Sequence, residues 1–191
     1  MFHVEQLKIN SMKIFKSVDL EEIKNSIRNV PDFPKKGIQF KDVSTSFKDE
    51  RIFRSVVSEI TGHYRSVGIT KVVAIESRGF ILGGVLANEL NAGFVPIRKP
   101  GKLPYKTFSQ SYELEYGVDV IEIHSDALDR KDVVLIHDDL LATGGTINAA
   151  IQLVKKFGVK DIFINFFVEL DALKGREKIK SDHPIWSLVH F

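Results

Sequence analysis

The sequence predicts an α/β protein with a doubly wound, mostly parallel sheet and helices on both faces, and three observations support this. Val72–Ile75, Phe94–Ile97, Val133–Ile136 and Ile162–Val168 are short, nearly continuous apolar runs, the composition of parallel strands buried on both faces. Between them Ile81–Leu90 and Thr146–Phe157 carry helical spacing, the latter with Ala149, Ala150, Leu153, Val154 and Phe157 inward. Polar, glycine-bearing tracts follow several of the strands, where ligands of open α/β sheets bind.

The remaining elements follow in order. Asp19 is placed to N-cap a helix with Glu22 three residues later and Leu20, Ile23 and Ile27 on one face, ending before Pro31. Pro31–Gly37 has the composition of an irregular connector that exposes backbone groups. Glu50–Ser66 predicts a second helix with Phe53, Val56, Val57 and Ile60 inward. Gly101–Gln110 is polar, and Tyr112–His124 predicts a hairpin turning at Gly117.

Composition removes several function classes. The 191 residues carry a net charge of only +2, too little for nucleic acid as a bulk partner. With no cysteine there is no disulfide framework, thiolate metal site or thiol nucleophile. The first residues, MFHVEQLKIN, lack an uninterrupted apolar core. Phe163–Leu170 is broken by Asn165 and Glu169 and is too short to span a bilayer, so no membrane partner is expected. The expectation is a cytoplasmic enzyme or binding protein.

The richest chemistry lies in Val133–Thr146, VVLIHDDLLATGGT. A buried strand is expected to emerge at His137, with a helix beginning after Gly145. The amides of Gly144 and Gly145 and the hydroxyls of Thr143 and Thr146 can surround a phosphate at the positive end of that helix. Asp138 and Asp139 then stand about one sugar length away, where carboxylates accept hydrogen bonds from vicinal hydroxyls, directly or through Mg²⁺ and its waters. The bland alternative is an acidic pair in an ordinary tight turn. No G-x-x-x-x-G-K-[ST] is present, and Gly79, Gly83 and Gly84 are not spaced as a dinucleotide fingerprint.

His137–Thr146 closely resembles the motif by which type I phosphoribosyltransferases bind phosphoribosyl pyrophosphate (PRPP), and D-D-L-L-A-T-G-G-T resembles the adenine-specific members. The resemblance implies that Asp138 and Asp139 hold the ribose hydroxyls and that Ala142, Thr143, Gly144, Gly145 and Thr146 bind the 5′-phosphate. Valine is commoner where His137 stands, and a packing role suits that histidine better than a catalytic one.

Further segments extend the resemblance from about Val30 to the C-terminus. Glu76, Ser77, Arg78 and Gly79 match the pyrophosphate loop, which in the family often contains a non-proline cis peptide. Arg98–Lys102 resembles R-K-x-G-K, placing Lys99 and Lys102 near pyrophosphate, with Tyr105 and Lys106 on a closing lid. Ser111–Gly117 resembles the returning lid strand, which implies proton transfer at the base by Glu115 with Tyr116 beside it; read alone, the segment is an exposed hairpin. Pro31–Asp42 resembles the hood, where the aromatic matching Phe40 stacks on adenine and main-chain groups matching Gln39 and Lys41 bond its edge. Lys36, Gln39 and Lys41 depart from the usual residues there. Val168–Arg176 resembles V-E-L-x-x-L-x-G-R, with Leu170 on the other face of the base.

The resemblance thus implies one domain: residues 1–45 as N-terminal helix and hood, and 46–191 as core with a flexible lid at about 99–124. The implied reaction joins PRPP and adenine to give AMP and pyrophosphate in purine salvage, by a cytoplasmic homodimer. Mg²⁺ is its cofactor, bound mainly through PRPP and water rather than by direct protein ligands. Two rivals remain: transfer to hypoxanthine, guanine or xanthine, and a non-catalytic PRPP-binding regulator.

Overall fold

The computed structural model describes residues 18–113 and 117–191. Helix α1 (Leu20–Ser26) begins as its sequence directs, with Asp19 accepting a 2.7 Å hydrogen bond from the Glu22 amide. Ile23 and Ile27 are buried, whereas Leu20 lies on the exposed side rather than with them. Strands β1 (Arg28–Pro31) and β2 (Gln39–Asp42) then form an antiparallel ribbon, with Val30 opposite Phe40. The expected irregular connector is the turn of this ribbon, held by a 2.6 Å bond from the Gly37 amide to Asp32. Its flanking strands are four residues each and mostly polar, so no apolar alternation marks them.

After α2 (Ser44–Phe47), helix α3 (Glu50–Tyr64) is N-capped by Asp49, which accepts from the amides of Arg51 and Ile52. The alternating core follows: β3 (Lys71–Ile75), α4 (Gly79–Glu89), β4 (Gly93–Ile97), the hairpin β5 (Thr107–Glu113) and β6 (Val118–His124), β7 (Val133–Leu141), α5 (Gly145–Lys155), β8 (Asp161–Glu169) and β9 (Ile185–His190). The five sheet strands run parallel in the order β4-β3-β7-β8-β9. From β3 the chain winds to β4 on one side; the later strands build out on the other. The crevice between the carboxyl ends of β3 and β7 is therefore the switch point at which such sheets take ligands.

Alternation along β7 divides the core. Val133 and Leu135 face the layer containing Val56, Ile60, Leu82 and Leu86 of α3 and α4. Val134 and Ile136 face Ile147, Ile151 and Val154 of α5. Both faces are covered, which accounts for the continuous apolar runs.

Strand β7 does not end at Ile136. It continues to Leu141, pairing Asp138 with Phe166 and Leu140 with Val168. The acidic pair thus belongs to the strand rather than to the turn after it. The two carboxylates interrupt the apolar run, but main-chain pairing is indifferent to side-chain charge. Strand β9, not expected from the sequence, completes the edge. The hairpin lies on α5: Lys156 donates to the Ser109 carbonyl at 2.8 Å, and the Phe108 and Phe157 rings are 5.4 Å apart.

Candidate active site

The switch-point crevice is a cleft of about 330 Å³ into which Ser77, Arg78, Lys99, Asp138, Asp139 and Thr146 all reach. Asp138 and Asp139, consecutive near the carboxyl end of β7, both line this cleft beside the start of α4. Asp139 Oδ2 lies 2.8 Å from Arg78 Nε. Asp138 Oδ1 accepts the Asp139 amide at 2.9 Å. A Cβ on Gly79 would stand 3.0 Å from that same oxygen, so glycine lets α4 start against the carboxylate.

Burial pushes the Asp138 carboxyl well above its ordinary range, and the neighbouring Asp139 charge adds to this. Burial raises Asp139 as well, against the pull of the Arg78 guanidinium. Two adjoining buried carboxyls with one cation between them favour holding a proton.

Around the loop after β3, Glu76 gathers cations. Arg98 approaches its carboxylate at 3.1 and 3.3 Å, Lys102 at 3.1 Å, and the Lys99 amide donates at 3.0 Å. Hydrogen bonding from Arg98, with these partners, brings its pKa down to about 2. Glu76 thus organises the basic loop after β4 rather than standing beside those cations as an independent anion site. The Glu76–Ser77 peptide is cis.

The segment from Ala142 to Thr146 encloses a second hollow of about 80 Å³ adjoining Asp138. Gly144 has φ +85°, and a Cβ there would meet the Gly175 carbonyl at 2.8 Å, so both conformation and space require glycine. Gly175 in turn packs on Ala142, where a Cβ would come within 2.2 Å of its carbonyl oxygen. The next residue, Arg176, forks onto Glu169 at 2.9 and 2.5 Å and donates to the Ile185 carbonyl. The V-E-L-x-x-L-x-G-R stretch therefore braces the glycine turn from behind.

The β1–β2 ribbon brings Phe40 against Arg78, whose guanidinium lies 5.3 Å from the ring centre, with Phe33 edge-on at 5.1 Å. The side chains that depart from the family pattern face elsewhere. Gln39 accepts from Asn29 at 2.7 Å, and the Lys41 ammonium lies 4.0 Å over the Phe191 ring. Leu170 is half-buried, its amide bonded to the Leu141 carbonyl at 3.0 Å.

Other expected residues are not drawn together. Tyr105 is 60% exposed and does not line the cleft. Glu115 and Tyr116 lie outside the described residues. His137 is fully buried, its Nδ1 2.7 Å from Asn165 Oδ1, and burial takes its pKa down to about 4. Two residues that sequence reasoning passed over, Tyr112 and Asp119, pair across the hairpin and meet Lys99. The one signal for them was the Gly117 turn, which sets the register that makes them opposites.

A phosphoribosyl transferase domain model matches residues 45–189. An adenine phosphoribosyltransferase of Bacteroides thetaiotaomicron is 53% identical over 169 residues, spanning 88% of this chain and 96% of the relative. Among solved structures, the adenine phosphoribosyltransferase of Rhodothermus marinus has a TM-score of 0.85 at 49% identity, covering 90% of this chain and 98% of its own. The Giardia lamblia APRTase, complexed with 9-deazaadenine, has a TM-score of 0.87 at 46% identity, covering 91% and 98%. With these likenesses running through sequence and structure alike, the chain belongs to the adenine phosphoribosyltransferase family.

Proposed function

We propose that this protein transfers the 5-phosphoribosyl group of PRPP to N9 of adenine, releasing AMP and pyrophosphate. The observation that carries the reading is the meeting at one switch point of the Glu76–Gly79 loop, the Asp138–Asp139 pair of β7 and the Ala142–Thr146 turn. In the reaction the bond from C1 to the pyrophosphate oxygen breaks, its electron pair leaving with pyrophosphate. N9 of the base bonds C1, and the base loses a proton.

Each residue then has a task. The glycine turn and the N-terminus of α5 hold the 5′-phosphate with amides and the Thr143 and Thr146 hydroxyls. Asp138 and Asp139 hold the ribose hydroxyls and stabilise the sugar as it gains positive charge. Ser77, Arg78 and Lys99 bind the departing pyrophosphate, with Glu76 fixing the loop that carries Lys99. Phe40 stacks on adenine, Leu170 covers its other face, and Glu115 moves the proton at the base. Holding the two substrates together supplies much of the remaining acceleration.

Mg²⁺ would be held mainly by PRPP and water, with Asp138 and Asp139 accepting from that hydration shell. The donor chemistry fits, since the carboxylate oxygens of Asp138 and Asp139 line the cleft and can accept hydrogen bonds from the waters this cation keeps. When bound, the ion neutralises charge on the leaving group. We also take the protein to be a cytoplasmic homodimer, as the family resemblance implies; light scattering checks the assembly.

Adenine is the base named for the chain's relatives, and one contact removes an objection to it. Gln39 is the departure that would matter most, and its side chain is engaged by Asn29, leaving base recognition to the main chain. An ultraviolet assay of adenine, hypoxanthine, guanine and xanthine with PRPP and Mg²⁺ tests this. Faster turnover of another purine would move the assignment to that base, and no conversion of any would favour a PRPP-binding regulator.

A further inference from the structure

Lys99 reaches the cleft from the loop after β4 with its ammonium already engaged. It donates to the Asp119 carboxylate and, at 3.3 Å, to the Tyr112 hydroxyl. Tyr112 donates its own proton to Asp119 Oδ2 at 3.0 Å, closing a three-membered cluster. The hairpin assembles it. Tyr112 on β5 and Asp119 on β6 are direct cross-strand partners, so both side chains leave one face, the face that meets Lys99. Tyr112 also lines the central cleft, and its ring lies 3.5 Å from where a Cβ on Gly145 would be. One hairpin residue thus touches both the basic loop and the start of the glycine turn.

The basic loop has three carboxylate partners, Glu76, Asp119 and, at the Gly101 amide, Glu122, and the first two differ in kind. Glu76 extends directly from the end of β3 and bonds the main chain of the loop as well as Arg98 and Lys102. Asp119 belongs to the hairpin, whose β6 is tied to the same loop by reciprocal main-chain bonds between Arg98 and Glu122 and buries Ile121 and Ile123 in the core. Glu76 holds the main chain of the loop, whereas Asp119 meets the Lys99 ammonium itself.

On the reading that Lys99 binds pyrophosphate, we propose that Asp119 is an internal competitor for that group: PRPP must take Lys99 from Asp119. The conflict is one of charge, not of valence. An ammonium has three donors, and Tyr112 and Asp119 occupy two. A phosphate oxygen on the third would set a multiply charged anion beside a carboxylate, with a single positive charge between them. The Asp119 side chain is 29% exposed, so it can turn toward water when displaced. Asp119 thereby sets PRPP affinity.

The test is calorimetric titration with Mg²⁺-pyrophosphate of the wild type, Asp119→Asn, Lys99→Met and the double variant, with adenine as control ligand. Asparagine keeps the shape and removes the charge, and circular dichroism checks the fold. Asp119→Asn is expected to bind Mg²⁺-pyrophosphate about two- to fivefold more tightly, the range for a part-exposed ion pair. Adenine affinity should not change, and the gain should vanish in the Lys99→Met background. Unchanged or weaker binding by Asp119→Asn, with Lys99→Met still impaired, overturns the competitor and makes Asp119 a positioning residue. If Lys99→Met itself binds as the wild type does, the pyrophosphate assignment of Lys99 fails and takes the proposal with it.

Discussion

Arg78 Nε stands 2.8 Å from Asp139 Oδ2, joining the loop after β3 to the acidic pair of β7 across the switch point. The same guanidinium lies 5.3 Å from the centre of the Phe40 ring, so one side chain touches the groups assigned to pyrophosphate, ribose and base. Removing any partner of Arg78 should therefore be felt in more than one binding step.

Asp139→Asn is expected to lower turnover at least tenfold, by weakening support for the cationic sugar and releasing Arg78. The fold should survive. Burying a carboxylate is costly, so the melting temperature should hold or rise. Initial rates and thermal melts measure the two effects, and a near-normal rate would remove Asp139 from the mechanism.

Phe40→Ala is expected to weaken adenine more than PRPP, since the stacking surface is lost while the phosphate loops are untouched. The ring is half-buried and packs on Phe33, so about 1–3 kcal/mol of adenine affinity should go. Titration with each substrate separates the cases; equal weakening of both would argue against stacking.

The parallel sheet was legible because burial on both faces leaves continuous apolar runs such as Val72–Ile75. The same cue misplaced the end of β7, where Asp138 and Asp139 break the run although pairing continues to Leu141. The β1–β2 ribbon and β9 escaped notice because short or edge strands carry little apolar alternation. In the cleft, the acidic pair and glycine turn could be seen since their chemistry is local in sequence. The grip of Glu76 on Arg98 and Lys102, and the meeting of Asp119 with Lys99, join residues twenty or more positions apart. Such contacts exist only once loops from different strands converge.

Proton release on binding is a third expectation. Burial and mutual repulsion raise the Asp138 carboxyl, and burial raises Asp139. Ribose hydroxyls and a hydrated Mg²⁺ favour the ionised pair, so binding lowers these pKa values and expels a proton. Affinity for Mg²⁺-PRPP should therefore increase as pH rises toward the raised pKa and level off above it. Calorimetry in buffers of different ionisation enthalpy counts the protons directly; zero release near neutral pH would mean that the pair is already fully ionised there.

His137 gives the fourth. Its folded pKa of about 4 lies below the ordinary 6.5 because the ring is buried against Asn165. Above pH 6.5 the ring is neutral in both folded and unfolded chains and contributes no slope. Between 6.5 and 4 the unfolded chain takes up a proton that the folded one refuses, so stability falls as pH falls, by up to roughly 3 kcal/mol, and the loss saturates below 4. His137→Val should be less stable at neutral pH, because Asn165 loses its partner. It should nevertheless lose less stability on acidification than the wild type. Urea unfolding at pH 7, 6 and 5 compares the two slopes, and identical slopes would show that the acid sensitivity arises elsewhere.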